Sequence, residues 1–291
     1  KRVLWLENPS WQEHEIYSTP DAKFDNVSIA PHDINGDGKV DFALGADWQF
    51  NNSDSGGSIG WLEQRSDEPW HYHPLGTEPT THRMNWFQLE QGSAPELIVA
   101  PLKGRGTRAP GFDQRGVRLL AFGPSEQPAE ETWGRRVLTE ELHVMHNFQV
   151  TDLDRDGRQD IVTASYEGVS WLTVDNAGQV TVRRLGMGQE EPAPKRGASE
   201  IRHGRLADGR DYLATIEPWH GDKVVVYVAP EDWPAGAASA EELPLWRRQV
   251  LDEALAWGHA VATANIDDDP ADELIIGVRD DQSGEHRRGI R

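Results

Sequence analysis

Short apolar runs recur along the chain, and an acidic residue opens each one. They are "DFALGA" from Asp41, "ELIVAPL" from Glu96, "DIVTASY" from Asp160, "DYLATI" from Asp211 and "ELIIGV" from Glu273. A second set follows at a regular distance: "IGWLEQ" (59–64), "VRLLAF" (117–122), "VSWLTV" (169–174) and "VVVYVA" (224–229). A third set, "WHYHPL", "WGRRVL", "VTVRRL" and "LWRRQVL", comes after those. These runs are continuous or alternate with period two, are rich in β-branched and aromatic residues, and are bounded by Gly, Pro, Asn and Asp; helical periodicity is nearly absent. The pattern predicts four short strands per unit.

The opening acids recur on average about every 58 residues, a period that suits a propeller blade with long loops. The fold expected is therefore an all-β propeller of four-stranded blades, forming a single domain over 1–291. The units read as blades over 24–77, 82–139, 143–185 and 198–251, with part-blades at 1–17 and 256–291. A chain that stops in mid-strand at "RGIR" is expected to belong to a larger ring, of seven blades when complete. Trp5, Trp61 and Trp171 fall at the same point of their units, where packing between blades accounts for them better than sugar stacking does.

The turns before the acidic anchors are themselves patterned. "DINGDGKVD" sets Asp33, Asn35, Asp37 and Asp41 at alternate positions, with a backbone carbonyl from Lys39 between them. "DLDRDGRQD" repeats this with Asp152, Asp154, Asp156 and Asp160. Such hard oxygens suit Ca2+, although an EF-hand would continue into a helix and these loops run into strands. The same acids also cap tight turns through Asx hydrogen bonds with no metal, and both readings stand. A third copy, "NIDDDPADE" at Asn265–Glu273, has Pro270 where the others have Gly, and proline forbids a positive φ there.

Charge and composition narrow the partners. A net charge of -20 repels nucleic acid and anionic lipid and favours cations. No apolar run is long enough to span a membrane. The absence of cysteine removes disulfides and thiol chemistry. The opening "KRVLWLENPSW" is not a signal peptide, so an extracellular or periplasmic location is expected only of a mature form.

In a propeller, the starts of the innermost strands and the loops after the second strands gather at one mouth. The first set holds Asn26, His82 with Arg83, His143 with His146, Glu200 with Arg202, and His259. The second holds Asp47 with Trp48, Lys103 with Arg105, Tyr166, Trp219 with His220, and Arg279. Histidine titrates near neutrality and suits a base that removes a proton beside a carbonyl or carboxylate. The candidate bases are His82, His146, His220 and His259, with Tyr166 as a proton donor. Arg105, Arg202 and Lys103 would bind the developing anion, with Trp48, Trp219 and Asp47 as further substrate contacts. Several converging imidazoles could equally hold a divalent metal; the two uses are not separable at this level.

The acidic loops resemble the FG-GAP or VCBS type of repeat found in integrin-like propellers. "APLKGRGT" (100–107), "HNF" (146–148), "TASYEGV" (163–169), "IEPWHG" (216–221) and "WGHAV" (257–261) together resemble the propeller of aldos-2-ulose dehydratase and the related propeller lyases that cleave rhamnose from glucuronic acid. The resemblance implies a carbon–oxygen lyase, either a polysaccharide lyase or a sugar dehydratase, working by β-elimination on a uronic-acid-containing glycan or a keto-sugar. The alternative is a non-catalytic, calcium-stabilised propeller that binds a glycan or a protein. Paired carboxylates for a hydrolase are less well supplied, since only Asp47 and Glu200 fall at mouth positions.

Overall fold

The computed structural model describes residues 2–18, 25–66, 69–89, 92–233, 243–279 and 289–290. The blade boundary expected at residue 24, the segment 234–242 within another blade, and the two arginines of "RGIR" lie outside the described residues. Among the described residues the regular secondary structure is entirely β, and none of them form a helix long and apolar enough to cross a membrane.

The chain divides into two compact units. The first comprises Lys1–Phe87, Ala94–Ala109 and Gln114–Glu140; the second comprises Gln88–Ser93, Pro110–Asp113 and Glu141–Arg291. The first unit opens with a two-stranded sheet of β1 (Arg2–Glu7) and β2 (Gln12–Ser18). Two four-stranded antiparallel meanders follow. One is β3 (Ser28–His32), β4 (Asp41–Ala46), β5 (Ser58–Glu63) and β6 (His71–Thr77); the other is β7 (Thr81–Phe87), β8 (Glu96–Pro101), β9 (Leu119–Gly123) and β10 (Gly134–Thr139).

The second unit holds two more meanders. These are β11 (Asn147–Thr151), β12 (Asp160–Ser165), β13 (Gly168–Val174) and β14 (Val180–Gly186), then β15 (Arg202–Arg205), β16 (Asp211–Glu217), β17 (Lys223–Val228) and β18 (Arg247–Asp252). A three-stranded sheet of β19 (Gly258–Ala264), β20 (Glu273–Val278) and β21 (Gly289–Ile290) completes it. These sheets are propeller blades.

Each acidic anchor is the first residue of a second strand: Asp41, Glu96, Asp160, Asp211 and Glu273 begin β4, β8, β12, β16 and β20. In the four-stranded sheets the second and third strands are mostly buried on both faces; β12 and β16 are buried along their whole length. A strand sandwiched between neighbouring sheets needs apolar residues on both sides, which explains continuous runs in place of alternation. Fourth strands such as β14 and β18 keep exposed positions, so their sequences stay mixed.

First strands of successive sheets approach one another within each unit. In the first, the Trp86 indole N–H donates to the Ala30 carbonyl (3.3 Å). In the second, the His203 N–H donates to Gln149 Oε1 (2.8 Å) and Thr263 Oγ1–H to the His203 carbonyl (2.6 Å). This is how a propeller brings the starts of its inner strands together. Trp61 and Trp171 are fully buried in sheet-to-sheet cores. Trp5 departs from that pattern: it is 46% exposed and stacks on His14 with ring centroids 4.2 Å apart, because β1 belongs to a sheet of only two strands.

Candidate functional site

In the second unit, the loops at the starts of β11, β15 and β19 and after β16 bring three imidazoles to one point. His146 Nε2 and His220 Nε2 are 2.8 Å apart. The His259 ring centroid lies 5.5 Å from that of His146 and 4.6 Å from that of His220. One nitrogen from each of the three lies within 4.8 Å of the others.

Backbone strain marks the same loops: Val144 (φ 44°), His220 (φ 51°) and Trp257 (φ 56°) are all left-handed. Non-glycine residues are costly there and concentrate at functional sites.

Glu200, buried behind the cluster, orients it. Its Oε1 lies 2.9 Å from His146 Nδ1, and its Oε2 accepts from Asn147 Nδ2 (2.5 Å). The Ser199 carbonyl is 3.1 Å from the same Nδ1. The Ser199 carbonyl accepts the hydrogen bond that holds a proton on Nδ1, with the Glu200 carboxylate beside it as a charge, and this leaves a lone pair on Nε2, the arrangement used for metal-binding histidines. Burial, the two neighbouring imidazoles and the Arg279 guanidinium push His220 down to about 2, so its imidazole is neutral and offers a lone pair. Trp219 lies beside this group, its ring 6.2 Å from His146. Arg279 stands over the exposed Trp257 ring at 5.9 Å.

Two further residues expected in this site are engaged in other contacts. Tyr166 is buried, its backbone bonded to His143 (2.9 Å) and its carbonyl to Arg196 Nε (3.1 Å). Burial, reinforced by the Asp113 charge, raises its hydroxyl to about 12, which suits a packed phenol more than a proton donor. Arg202 turns its guanidinium back to the Ile201 carbonyl (2.6 Å).

The remaining expected residues lie in the first unit. Asp47 takes a left-handed φ of 58° directly after β4, and its carbonyl accepts from the Gly57 N–H (3.0 Å). The Trp48 ring sits 6.0 Å from His82 and 5.9 Å from Phe50. Lys103 is buried, with Nζ donating to the Phe50 carbonyl (2.5 Å) and lying 3.9 Å from the centre of that ring; burial lowers its amine to about 8. Arg105 reaches a partner that sequence reading missed, the buried Glu78 (3.4 Å). Arg118 and Arg135 converge on the same carboxylate.

The acidic loops are built as capped turns. The Asp33 carboxylate accepts from the N–H groups of Asp37 (3.0 Å) and Gly38 (2.9 Å), and Asp152 does the same with Asp156 (3.1 Å) and Gly157 (3.0 Å). Asp41 spends both oxygens on backbone N–H groups, of Ile34 (3.0 Å) and Gln64 (2.8 Å). Asp160 accepts from Leu153 (3.1 Å), and burial raises it to about 7. In the first loop the Lys39 ammonium pairs with Asp37 (2.8 Å), placing a cation of its own beside the expected ligands Asp33 and Asn35.

The second loop differs. Asp152, Asp154 and Asp156 each present an oxygen within 4.8 Å of the others, and Asp154 Oδ1 is buried without a hydrogen-bond partner. Gly38 (φ 84°) and Gly157 (φ 88°) show why Pro270 changes the third loop. There Asp268 N–H bonds to Asn265 Oδ1 (2.8 Å) in place of the longer-range cap, and Asp267, Asp269 and Glu273 form an exposed group.

Comparison with known proteins bears on these geometries. Aldos-2-ulose dehydratase of Phanerodontia chrysosporium is 26% identical over 241 residues, which are 77% of this chain and 26% of that protein; the chain thus spans about a quarter of its relative's length. Among solved structures, an Agrocybe aegerita lectin described as recognising non-reducing terminal N-acetylglucosamine is similar at 13% identity, covering 92% of this chain and 80% of that one with a TM-score of 0.39. A Lactobacillus plantarum protein is similar at 12% identity, covering 94% and 82% with a TM-score of 0.39. The family described as the aldos-2-ulose dehydratase β-propeller domain matches residues 56–230, more than half of the sequence and including His82, His146 and His220. The chain belongs to the aldos-2-ulose dehydratase β-propeller family.

Proposed function

We propose that this protein is a carbon–oxygen lyase or dehydratase acting on a carbohydrate, with its chemistry at His146, His220 and His259. The carrying observation is that these three imidazoles converge within 4.8 Å, with His146 oriented by Glu200. In the reaction, a base takes the proton from a carbon beside a carbonyl or carboxylate. The C–H pair becomes the new C=C bond, and the C–O bond on the next carbon breaks with its electrons leaving on oxygen, which is then protonated. The products are an unsaturated sugar and water or an alcohol. The name of the relative from Phanerodontia chrysosporium supports a sugar substrate.

Three converging imidazole nitrogens, with the Nδ1–H of His146 held by Ser199, suit a divalent ion such as Zn2+. When bound, that ion would supply a Lewis acid for the substrate oxygen that gains charge. The Ser199 carbonyl, with the Glu200 charge beside it, keeps the His146 lone pair directed at the shared point, Arg279 adds a cation close to His220, and the Trp219 ring offers a face for a sugar. We assign Ca2+ to the Asp152–Asp156 loop as a structural ion, on the ground of its unpartnered Asp154 oxygen.

The test is to incubate the protein with uronic-acid-containing oligosaccharides and with keto-sugars, and to follow ultraviolet absorbance for a conjugated double bond. Absorbance that grows and is abolished in His146→Ala supports elimination. No product from either class overturns it. A non-catalytic glycan-binding role, favoured by the 44% exposed Trp257 beside Arg279, would then be left standing.

A further inference from the structure

Glu78 links β6 to β7 and is only 2% exposed. Arg118 donates to its carboxylate from Nε (3.2 Å) and from Nη2, Arg135 from Nη2 (2.9 Å) and Arg105 from Nη2 (3.4 Å). The turn that holds Glu78 is fixed by a close approach: a Cβ on Gly57 (φ 72°) would stand 1.7 Å from the Glu78 carbonyl oxygen. The three arginine side chains, in contrast, reach solvent, at 47% exposed for Arg105, 30% for Arg118 and 37% for Arg135.

One carboxylate neutralises one guanidinium. Each guanidinium carries five N–H donors in a rigid fork, and these arginines commit only one or two apiece to Glu78. Glu140 acts electrostatically on Arg118, so three positive charges face two negative ones. On a chain of net charge -20, this is a local reversal of sign.

Burying a carboxylate does not require such a surplus, as the second unit demonstrates. Glu217 is fully buried and is satisfied by one arginine, Arg248 (2.7 Å), with the Tyr227 hydroxyl (2.5 Å) and the Thr215 hydroxyl (3.2 Å).

We propose that Arg105, Arg118 and Arg135 form an oxyanion-binding site, with Glu78 as the buried template that gathers them. Planar forks with unused donors match carboxylate, phosphate and sulfate oxygens, two bonds at a time. The chemistry shared by these ligands is a compact oxyanion, carried on a sugar acid or free in solution. For the sugar acid the site rests on the carbohydrate reading above; the anion chemistry does not.

The experiment measures thermal melting of the whole protein against D-glucuronate, inorganic phosphate and sulfate, with D-glucose as the neutral control and ionic strength held constant with sodium chloride. A saturable rise in melting temperature with an oxyanion, absent with glucose, is expected. The double variant Arg105→Gln/Arg135→Gln keeps the Arg118–Glu78 pair and should raise the dissociation constant about tenfold or more. The single variant Arg105→Gln, with only one 3.4 Å contact to lose, serves should the double variant misfold.

Saturation by glucuronate assigns the site to a sugar acid; saturation by phosphate or sulfate with glucuronate inert assigns it to a free or esterified oxyanion. Equal affinity in the variants, or no effect beyond that of sodium chloride, overturns the proposal. Turnover is not read, so a protein that eliminates without binding oxyanions would lose this site alone. One that binds oxyanions without eliminating would lose the lyase reading alone.

Discussion

Glu200 in one unit and Glu78 in the other are both 2% exposed, and each gathers polar side chains from distant parts of the chain. The partners of Glu200 are an imidazole and an amide; those of Glu78 are three guanidiniums. Imidazole has two unlike nitrogens, so a carboxylate on Nδ1 leaves a lone pair on the far side and creates a place for a cation. Guanidinium has no lone pair, so a carboxylate at its centre leaves outward donors and positive charge. Burial of the acid is the same in both places. The chemistry of its partners decides which sign of ligand each corner can take.

That contrast breaks first at the imidazoles. Replacing His146 or His220 by Ala should lower turnover about 10²–10⁴-fold while circular dichroism still reports a folded β protein. Full activity in both variants would leave the histidine corner without a catalytic role. Next, Glu200→Gln keeps the shape but weakens the hold on Nδ1, and Zn2+ affinity in a competitive titration should fall about 10–100-fold. Unchanged affinity would mean that the carboxylate does not tune the imidazole.

In the other corner, Glu78→Gln removes the charge that gathers three arginines and should cost about 1–3 kcal/mol of stability in urea denaturation. A loss within error would mark the cluster as loosely held.

Two smaller effects sharpen the comparison. Lys103, buried in the same unit as Glu78, has its amine lowered by burial to about 8 from an ordinary 10.5. Between those values the unfolded chain binds more protons than the folded one, so stability should rise with pH across that window and stay flat below it. Lys103→Met should flatten this slope in denaturation curves taken at several pH values; an identical slope would place the titration elsewhere. Chelation should lower the melting temperature slightly, and less so in Asp154→Ala, since that loop would have lost its ion already. A variant as sensitive as the parent would return the second acidic loop to simple turn capping.

The strands were legible because their cause is local. Acid-opened apolar runs mark β4, β8, β12, β16 and β20, and the paired runs after them mark β5, β9, β13 and β17. The Asx turns were legible for the same reason, since Asp33 and Asp152 bond N–H groups four and five residues ahead. Mouth positions, counted from inner-strand starts for His146 and His259 and from the loops after second strands for His220, name all three, and the coordinates bring them together. The same counting lists Tyr166 and Arg202, but position along a strand does not state which contacts a side chain makes. Tyr166 packs inward and Arg202 folds back on its own backbone.

Glu78 with its arginines had no sequence signal, since the partners lie 27, 40 and 57 residues away with no motif around them. By itself, then, the sequence determined the repeating strand, the capped turn and the residue types able to do acid–base or anion chemistry, all of which act within a few residues. Only the tertiary structure decided which carboxylate meets an imidazole and which meets three guanidiniums. Those meetings depend on sheet register and on the approach of loops far apart in the chain, and burial then strengthens whatever electrostatic pairing the approach has made.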